Sequence, residues 1–425
     1  MLDPAAVARL TARLSEVDER RAVSHPGERA GRQPVHTCYL SAGQVAADLP
    51  ARWGAAATDA LRRHAATPAA LAEVAGLAAD LAEPVYERVL AKLAAEPVED
   101  LRVDFEDGYG EPADDTEDAD AVAAATVVAG WHRDGTAPAW HGLRVKSFDT
   151  PALRDRSIRT LDVFLTTLFD ATGNTLPAGF VLTFPKVTAV EQVEVFAELL
   201  ALLEARHALP AGALRFEIQV ETTESIVDST GRLALPGFIA AGDGRVSGLH
   251  FGTYDYTAAC GLPISSQHLA HGACDFARHV MQVSAAGTGV WCSDGSTNVL
   301  PVGDAEAVRH GWRTHAGLVA RSLAHGFYQG WDLHPHQLVT RYAAVFGFYR
   351  GGGPTAAARL AAYAGGGAAG SIADEPASAR VLAGFLLRAL DCGAWDRAEL
   401  TAATGLSVER LHSLARRPAG QEVGR

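Results

Sequence analysis

"LRVDFEDGYG" occupies residues 101–110, and its pattern is repeated along the chain. Leu101, Val103 and Phe105 make a short apolar run, Asp104, Glu106 and Asp107 close it, and Gly108 breaks it. A brief β-type run bounded by polar residues and glycine reads as a buried strand. Three acids at one strand end call for positive charge opposite them. The candidates are a solvated lysine, a structural arginine or a metal ion.

Seven other runs have the same character: "VHTCYLSAG" (35–43), "HGLRVKSF" (141–148), "GFVLTFPKV" (179–187), "RFEIQVETT" (215–223), "SGLHFGTYD" (247–255), "GVWCSDG" (289–295) and "GWDLHPHQL" (330–338). Helical stretches separate them. Residues 189–208 repeat apolar positions every three to four residues, and 265–287 do so around an internal glycine. Strand and helix in alternation imply parallel pairing through right-handed crossovers. Eight such units close most simply as an α/β fold of the (β/α)8 TIM-barrel type, with an open doubly wound sheet as the alternative. The expected organisation is an N-terminal helical segment (1–34), a barrel catalytic domain (35–350), a flexible Gly-rich linker (351–371) and a C-terminal helical extension (372–425). That extension is read as an oligomer contact or an active-site cover. In it, Ser407 with Glu409 reads as an N-cap and first turn.

The 425 residues are 48% hydrophobic, enough for a large core, yet no apolar stretch is long and clean enough for a bilayer. A net charge of −13 without a basic face argues against nucleic acid. Five scattered cysteines without a CxxC pair fit a reducing compartment, and the N-terminus lacks signal-peptide order, so a cytoplasmic protein is expected.

In a barrel the C-terminal strand ends form the reactive face. Those ends carry Asp104, Glu106 and Asp107, then Arg144 and Lys146, Lys186, Glu221 and Glu224, Asp255, Asp294, and His334 and His336. Glu221 and Asp255 close consecutive strands, and two hard oxygen donors there suit Mg2+ or Mn2+. The plainer alternative makes Glu221 a rim acid or cap and Asp255 a turn residue. Strand alternation gives Asp104 and Glu106 one face and turns Asp107 away, with Arg144 in reach as a fork for a substrate oxygen or as a structural partner. "GTYD" (252–255) reads either as an anion-binding turn, through Gly252, Thr253 and Tyr254, or as a glycine placed for strand geometry. Lys186 either holds a substrate carboxylate or pairs with the rim acids. The other histidines are dispersed and read as surface or satisfied core residues.

The order of motifs resembles the citrate lyase β-subunit/malyl-CoA lyase family, grouped with the metal-dependent 2-oxo-acid aldolases. "VDFEDGYG", "LRVKSF", "FPKV", "IQVETTESIVD", "LHFGTYDYTAACG" and "GFYQGWDLHPHQL" match its motifs in sequence order. "DFED" is also similar to a segment of malate synthase. The resemblance implies a barrel in which Glu221 and Asp255 bind Mg2+ or Mn2+ and Arg144 stabilises an enolate. It further implies that Asp104 and Glu106 stand just behind the groups that contact the ion and substrate, with the "GTYD" amides holding a carboxylate. Its activity would be carbon–carbon lyase or aldolase chemistry on a 2-oxo acid or β-hydroxy acid, a small-molecule carboxylate. The proton-transfer base is open, with Glu106 one choice. A homo-oligomer, trimer or hexamer, is implied as well. Other readings are an acyl-CoA-dependent lyase or synthase using a coenzyme A thioester, and a non-catalytic ligand-binding barrel. Departures from the family pattern are Lys146 where it has Asn, "LHP" for "IHP", and added sequence between Glu221 and Asp255.

Overall fold

Parallel pairing runs through the whole sheet. The computed structural model describes residues 2–29, 31–365 and 375–416. Its eight strands are β1 (Thr37–Ser41), β2 (Asp100–Asp104), β3 (Trp140–Arg144), β4 (Phe180–Phe184), β5 (Phe216–Val220), β6 (Val246–Phe251), β7 (Trp291–Ser293) and β8 (Trp331–Asp332). Each overlaps one of the eight runs quoted above. Their order is β7-β6-β5-β4-β3-β2-β1-β8, all neighbours parallel. The seam between β7 and β8 is closed by a parallel bridge, Ser293 to Gln329, and the Asp294 N–H donates to the Gln329 carbonyl at 2.8 Å. The sheet is therefore a nearly closed barrel and not an open one.

Helices cover the outside, and their ends follow from local chemistry. Pro151–Thr172 starts with Thr150 accepting from the Leu153 N–H at 3.2 Å, has Pro at its first turn, and stops at Gly173 with φ 63°. The 189–208 pattern is realised as Val190–Arg206. Its Phe196 stacks on Phe184 of β4 at 4.3 Å and meets Phe216 of β5 edge-on. Ser407 accepts from the Arg410 N–H, with Glu409 in the first turn of Val408–Ala415, as expected. Among the described residues no helix is long and apolar enough to cross a membrane.

Three expectations need correction. The helix read over 265–287 is Gly272–Ala285, because the His271 side chain caps it by accepting from the Ala273 N–H. The stretch 351–371 is not a flexible connection as far as it is described. Helix Gln337–Ala364 continues through Gly351, Gly352, Gly353 and Pro354, and residues 366–371 lie outside the described residues. Those glycines serve close packing: a Cβ at Gly353 would lie 2.3 Å from the Trp395 indole, and one at Gly352 would lie 2.9 Å from Phe385. Nor do the described residues of the C-terminal extension cover the reactive face. Arg388 and Asp391 line a small cavity with Gln33, Val35 and Tyr328, which precede β1 and β8, so it packs at the opposite end of the barrel.

A buried carboxylate pins β8. Asp332 accepts from Arg341 Nη2 at 2.8 Å and from His315 Nε2 at 2.9 Å, and lies 3.0 Å from His36 Nδ1. Burial alone would raise its pKa, but Arg341, His315 and His36 hold it well below the usual aspartate range. Breaking such a pair strands a buried guanidinium, so Asp332→Ala should cost about 3–5 kcal/mol in urea unfolding at pH 7. Because the folded pKa is depressed, this contribution is complete above the unfolded value of about 3.9 and fades below it. The stability gap between wild type and variant should narrow as the pH falls below about 4. A gap that is absent at pH 7, or unchanged in acid, contradicts this.

Candidate active site

The period of two places Asp100, Arg102 and Asp104 on one face of β2, and Glu217 and Gln219 on one face of β5 with Glu221 just beyond it. Both faces point into the barrel. Arg102 spans the interior, donating from Nη2 to Glu217 Oε2 at 2.8 Å and from Nε to Thr183 Oγ1 at 3.3 Å, and it also contacts Asp100. His250 Nε2 lies 2.9 Å from Glu217, while its Nδ1 accepts from Trp331 Nε1. Burial would raise the Glu217 pKa, yet His250 and Arg102 pull it down to about 2. This layer of paired charge is the floor of the site.

Arg144 forms the next layer. Its Nε and Nη2 donate to the two oxygens of Asp104, each at 2.7 Å, and Nη1 reaches Gln219 Oε1 at 3.1 Å and Glu106 Oε2 at 3.2 Å. The guanidinium lies 4.7 Å from the Tyr39 ring centre and 5.9 Å from that of Trp331. At 4% exposure it is a buried, fully engaged fork. Gln219 also donates through Nε2 to Glu221 Oε2, tying Arg144 to Glu221. Tyr39, Gln219 and Trp331 were not singled out from the sequence. Gln219 shares the parity of Glu217 and Glu221, which was a usable signal.

At the rim, β2 ends at Asp104 and the chain folds back over that carboxylate. Asp104 accepts from the Glu106 N–H at 3.0 Å and from the Gly108 N–H at 2.9 Å. Lys146 Nζ clamps this turn through the Phe105 and Gly110 carbonyls, both at 2.7 Å, and pairs with Glu117 at 3.2 Å. Strand alternation thus stops before Asp107. The expectation that Asp107 turns away is overturned: Lys186 Nζ reaches Glu106 Oε1 at 2.6 Å and Asp107 Oδ1 at 2.9 Å. The same ammonium lies 3.4 Å from Asp255 Oδ2, and the Lys186 N–H donates to Glu221 Oε1 at 2.9 Å. Glu221 and Asp255 are therefore gathered around one residue. The positive groups facing the acids of 104–107 are an arginine and a lysine together.

Five carboxylates, Asp104, Glu106, Asp107, Glu221 and Asp255, face two cations, Arg144 and Lys186. The imbalance has consequences. Burial lifts Glu106 to about 7 despite Arg144 and Lys186. Burial, reinforced by the charges of Glu106 and Asp255, raises Glu221 well above the ordinary glutamate range. Among the described residues no three His, Cys, Asp or Glu side chains are arranged as a ready metal cage. The side chains that could hold a hard divalent ion are two carboxylates, Glu221 and Asp255, which would leave further positions to solvent or substrate. Gly252 is required beside them, because a Cβ there would lie 2.5 Å from Glu221 Oε2.

Other expected residues are placed less centrally. The Gly252 N–H is spent on the Val220 carbonyl, so any amide cradle reduces to Thr253 and Tyr254 in the first turn of Thr253–Ala259. Tyr254 Oη accepts from the Asn298 N–H at 2.6 Å. Glu224 is exposed, and Asp294 is a buried partner of Ser322 and Arg278. His334 Nδ1 accepts from the His336 N–H, and burial with the neighbouring His336 lowers its pKa to about 4.

Among solved structures, the barrel is similar to a citrate lyase from Burkholderia xenovorans LB400, with TM-score 0.55 and 17% identity over 89% of this chain and 98% of that one. That likeness shows a shared fold. Weaker similarity extends to a malate synthase from Haloferax volcanii (TM-score 0.49, 17% identity, covering 75% of this chain and 76% of that one). An HpcH/HpaI aldolase/citrate lyase family protein from Burkholderia cenocepacia J2315 is also similar (TM-score 0.41, 13% identity, covering 77% and 95%). No curated protein matches in sequence. Residues 14–419 match the family model described as a domain of unknown function (DUF6986), and the chain belongs to that family.

Proposed function

We propose that the protein is a Mg2+- or Mn2+-dependent carbon–carbon lyase of the aldolase kind, acting on a 2-oxo acid or β-hydroxy acid. The observation that carries this reading is the charge imbalance at the mouth: five carboxylates share two cations, and one of those cations is a buried guanidinium. Hard oxygen donors in surplus are what a small dication requires. Glu221 and Asp255 are the side chains that would hold it. Bound there, the ion would supply Lewis-acid polarisation of a substrate carbonyl and carboxylate.

The chain's own groups do the rest. Arg144 cannot lose its proton, and its Nη1 edge meets Gln219 and Glu106, on the side of the guanidinium nearest the rim acids. There it stabilises negative charge developing on a substrate oxygen. Tyr39 and Trp331 flank the guanidinium and keep water from it. Glu106, held near neutrality in its affinity for protons, is suited to take one from the substrate or return it. Thr253 and Tyr254 offer first-turn amides to a carboxylate. The citrate lyase that shares this fold is compatible with a lyase reading.

Two outcomes are expected. With Mg2+ and a panel of 2-oxo acids and their aldol adducts, wild type should show lyase or aldol turnover. Arg144→Lys, which keeps charge but loses the fork, should lower kcat about 10²–10³-fold with unchanged circular dichroism. Unaltered turnover in that variant would remove Arg144 from the chemistry. Second, if Glu106 accepts the proton, kcat should rise with pH and level off above about 7. The rise should vanish in Glu106→Gln, and a profile identical to wild type in that variant would assign the base elsewhere.

A further inference from the structure

Lys186 has a backbone that needs explaining. Its φ is 50°, in the left-handed region that residues with a Cβ enter only at a cost. Glycine would sit there without strain, yet the position carries an ammonium on a flexible four-carbon stem. What the conformation secures is two-ended contact with the rim. The N–H donates to Glu221 at 2.9 Å while Nζ turns to Glu106, Asp107 and Asp255 at 2.6, 2.9 and 3.4 Å. One residue thus touches four acids, including both side chains assigned to the divalent ion. Burial works against the ammonium, and the charges of Glu221, Glu106 and Asp255 more than offset it, so it stays protonated.

The contacts are graded. The bond to Glu106 is the shortest, and the contact with Asp255 is the longest. Asp255 is also 44% exposed on its side chain, whereas Glu106 is 8% exposed. An ammonium fixed to a buried carboxylate at one side and loosely to an open one at the other can release the second without leaving the first.

We infer that Lys186 is a tethered counter-ion of the rim: its ammonium neutralises Glu106, Asp107 and Asp255 while no divalent ion is bound, and releases Asp255 when one enters. This rests on the metal reading above and adds a role to it, that of a positioning residue which keeps the carboxylates together and sets how weakly the ion is held. A cation beside the dication repels it, and a cation pairing with its ligand competes for it. Both effects lower affinity.

The probe is Mn2+ itself, titrated at pH 8 into the full-length protein and followed by calorimetry and by the paramagnetic resonance of free Mn2+. Wild type, Lys186→Gln, Lys186→Asn and Lys186→Arg are compared. Asparagine is included because it tolerates left-handed backbone, which guards against a folding defect in the Gln variant. The neutral variants should bind on the order of tenfold more tightly, the ratio that removal of about 1.4 kcal/mol of repulsion corresponds to. Without metal they should melt lower than wild type and gain more on Mn2+ addition, while Lys186→Arg should stay near wild-type affinity. If wild type binds Mn2+ but both neutral variants bind equally or more weakly, Lys186 is no counter-ion and the metal reading survives. If no protein of the set binds Mn2+ at millimolar concentration, both readings fall.

Discussion

The mouth of this barrel depends on burying charge in pairs. A carboxylate taken out of water is tolerated only when a donor or cation meets it, and the interior is built as a column of such meetings. Arg102 satisfies Asp100 and Glu217 in the lower layer, and Arg144 satisfies Asp104 above it. With each cation committed to the layer it lies in, little is left for Glu221 and Asp255 at the top. Lys186 supplies a backbone N–H to one and a distant ammonium to the other. The site is the place where the pairing runs short.

That view links fold to chemistry. Parallel strands of odd and even parity deliver side chains in layers, so a residue two positions further along a strand lies one layer closer to the rim. Glu217, Gln219 and Glu221 of one strand segment accordingly serve three purposes: a floor partner for Arg102, a brace for Arg144 and a rim acid. Lys146, two residues past the end of β3, fastens the turn that carries Glu106 and Asp107. These groups are held in place before any ligand arrives, which is what electrostatic stabilisation of a developing charge demands.

The strands and their parallel pairing were legible because each is a short apolar run ending in charge or glycine. The helix Val190–Arg206 was legible from its repeat. The neighbourhood of Glu106, Arg144, Lys186, Glu221 and Asp255 followed from strand ends alone. What escaped was geometry below that scale. Alternation mispredicted Asp107 because the strand stops at Asp104, whose carboxylate turns the chain through the amides of Glu106 and Gly108. Gly351–Gly353 read as part of a flexible linker, although the missing side chains of Gly352 and Gly353 make room for Phe385 and Trp395. Tyr39 and Trp331 escaped because an aromatic in an apolar strand gives no sign that it faces a guanidinium inside the barrel.

On the proposed reading, Glu221 and Asp255 hold one divalent ion across from Arg144. An anomalous-difference map from crystals grown with Mn2+ tests it most directly. A single strong peak is expected at the C-terminal mouth, bonded to oxygens of both carboxylates. A peak bonded to neither, or none at a concentration that saturates the protein in solution, would contradict it.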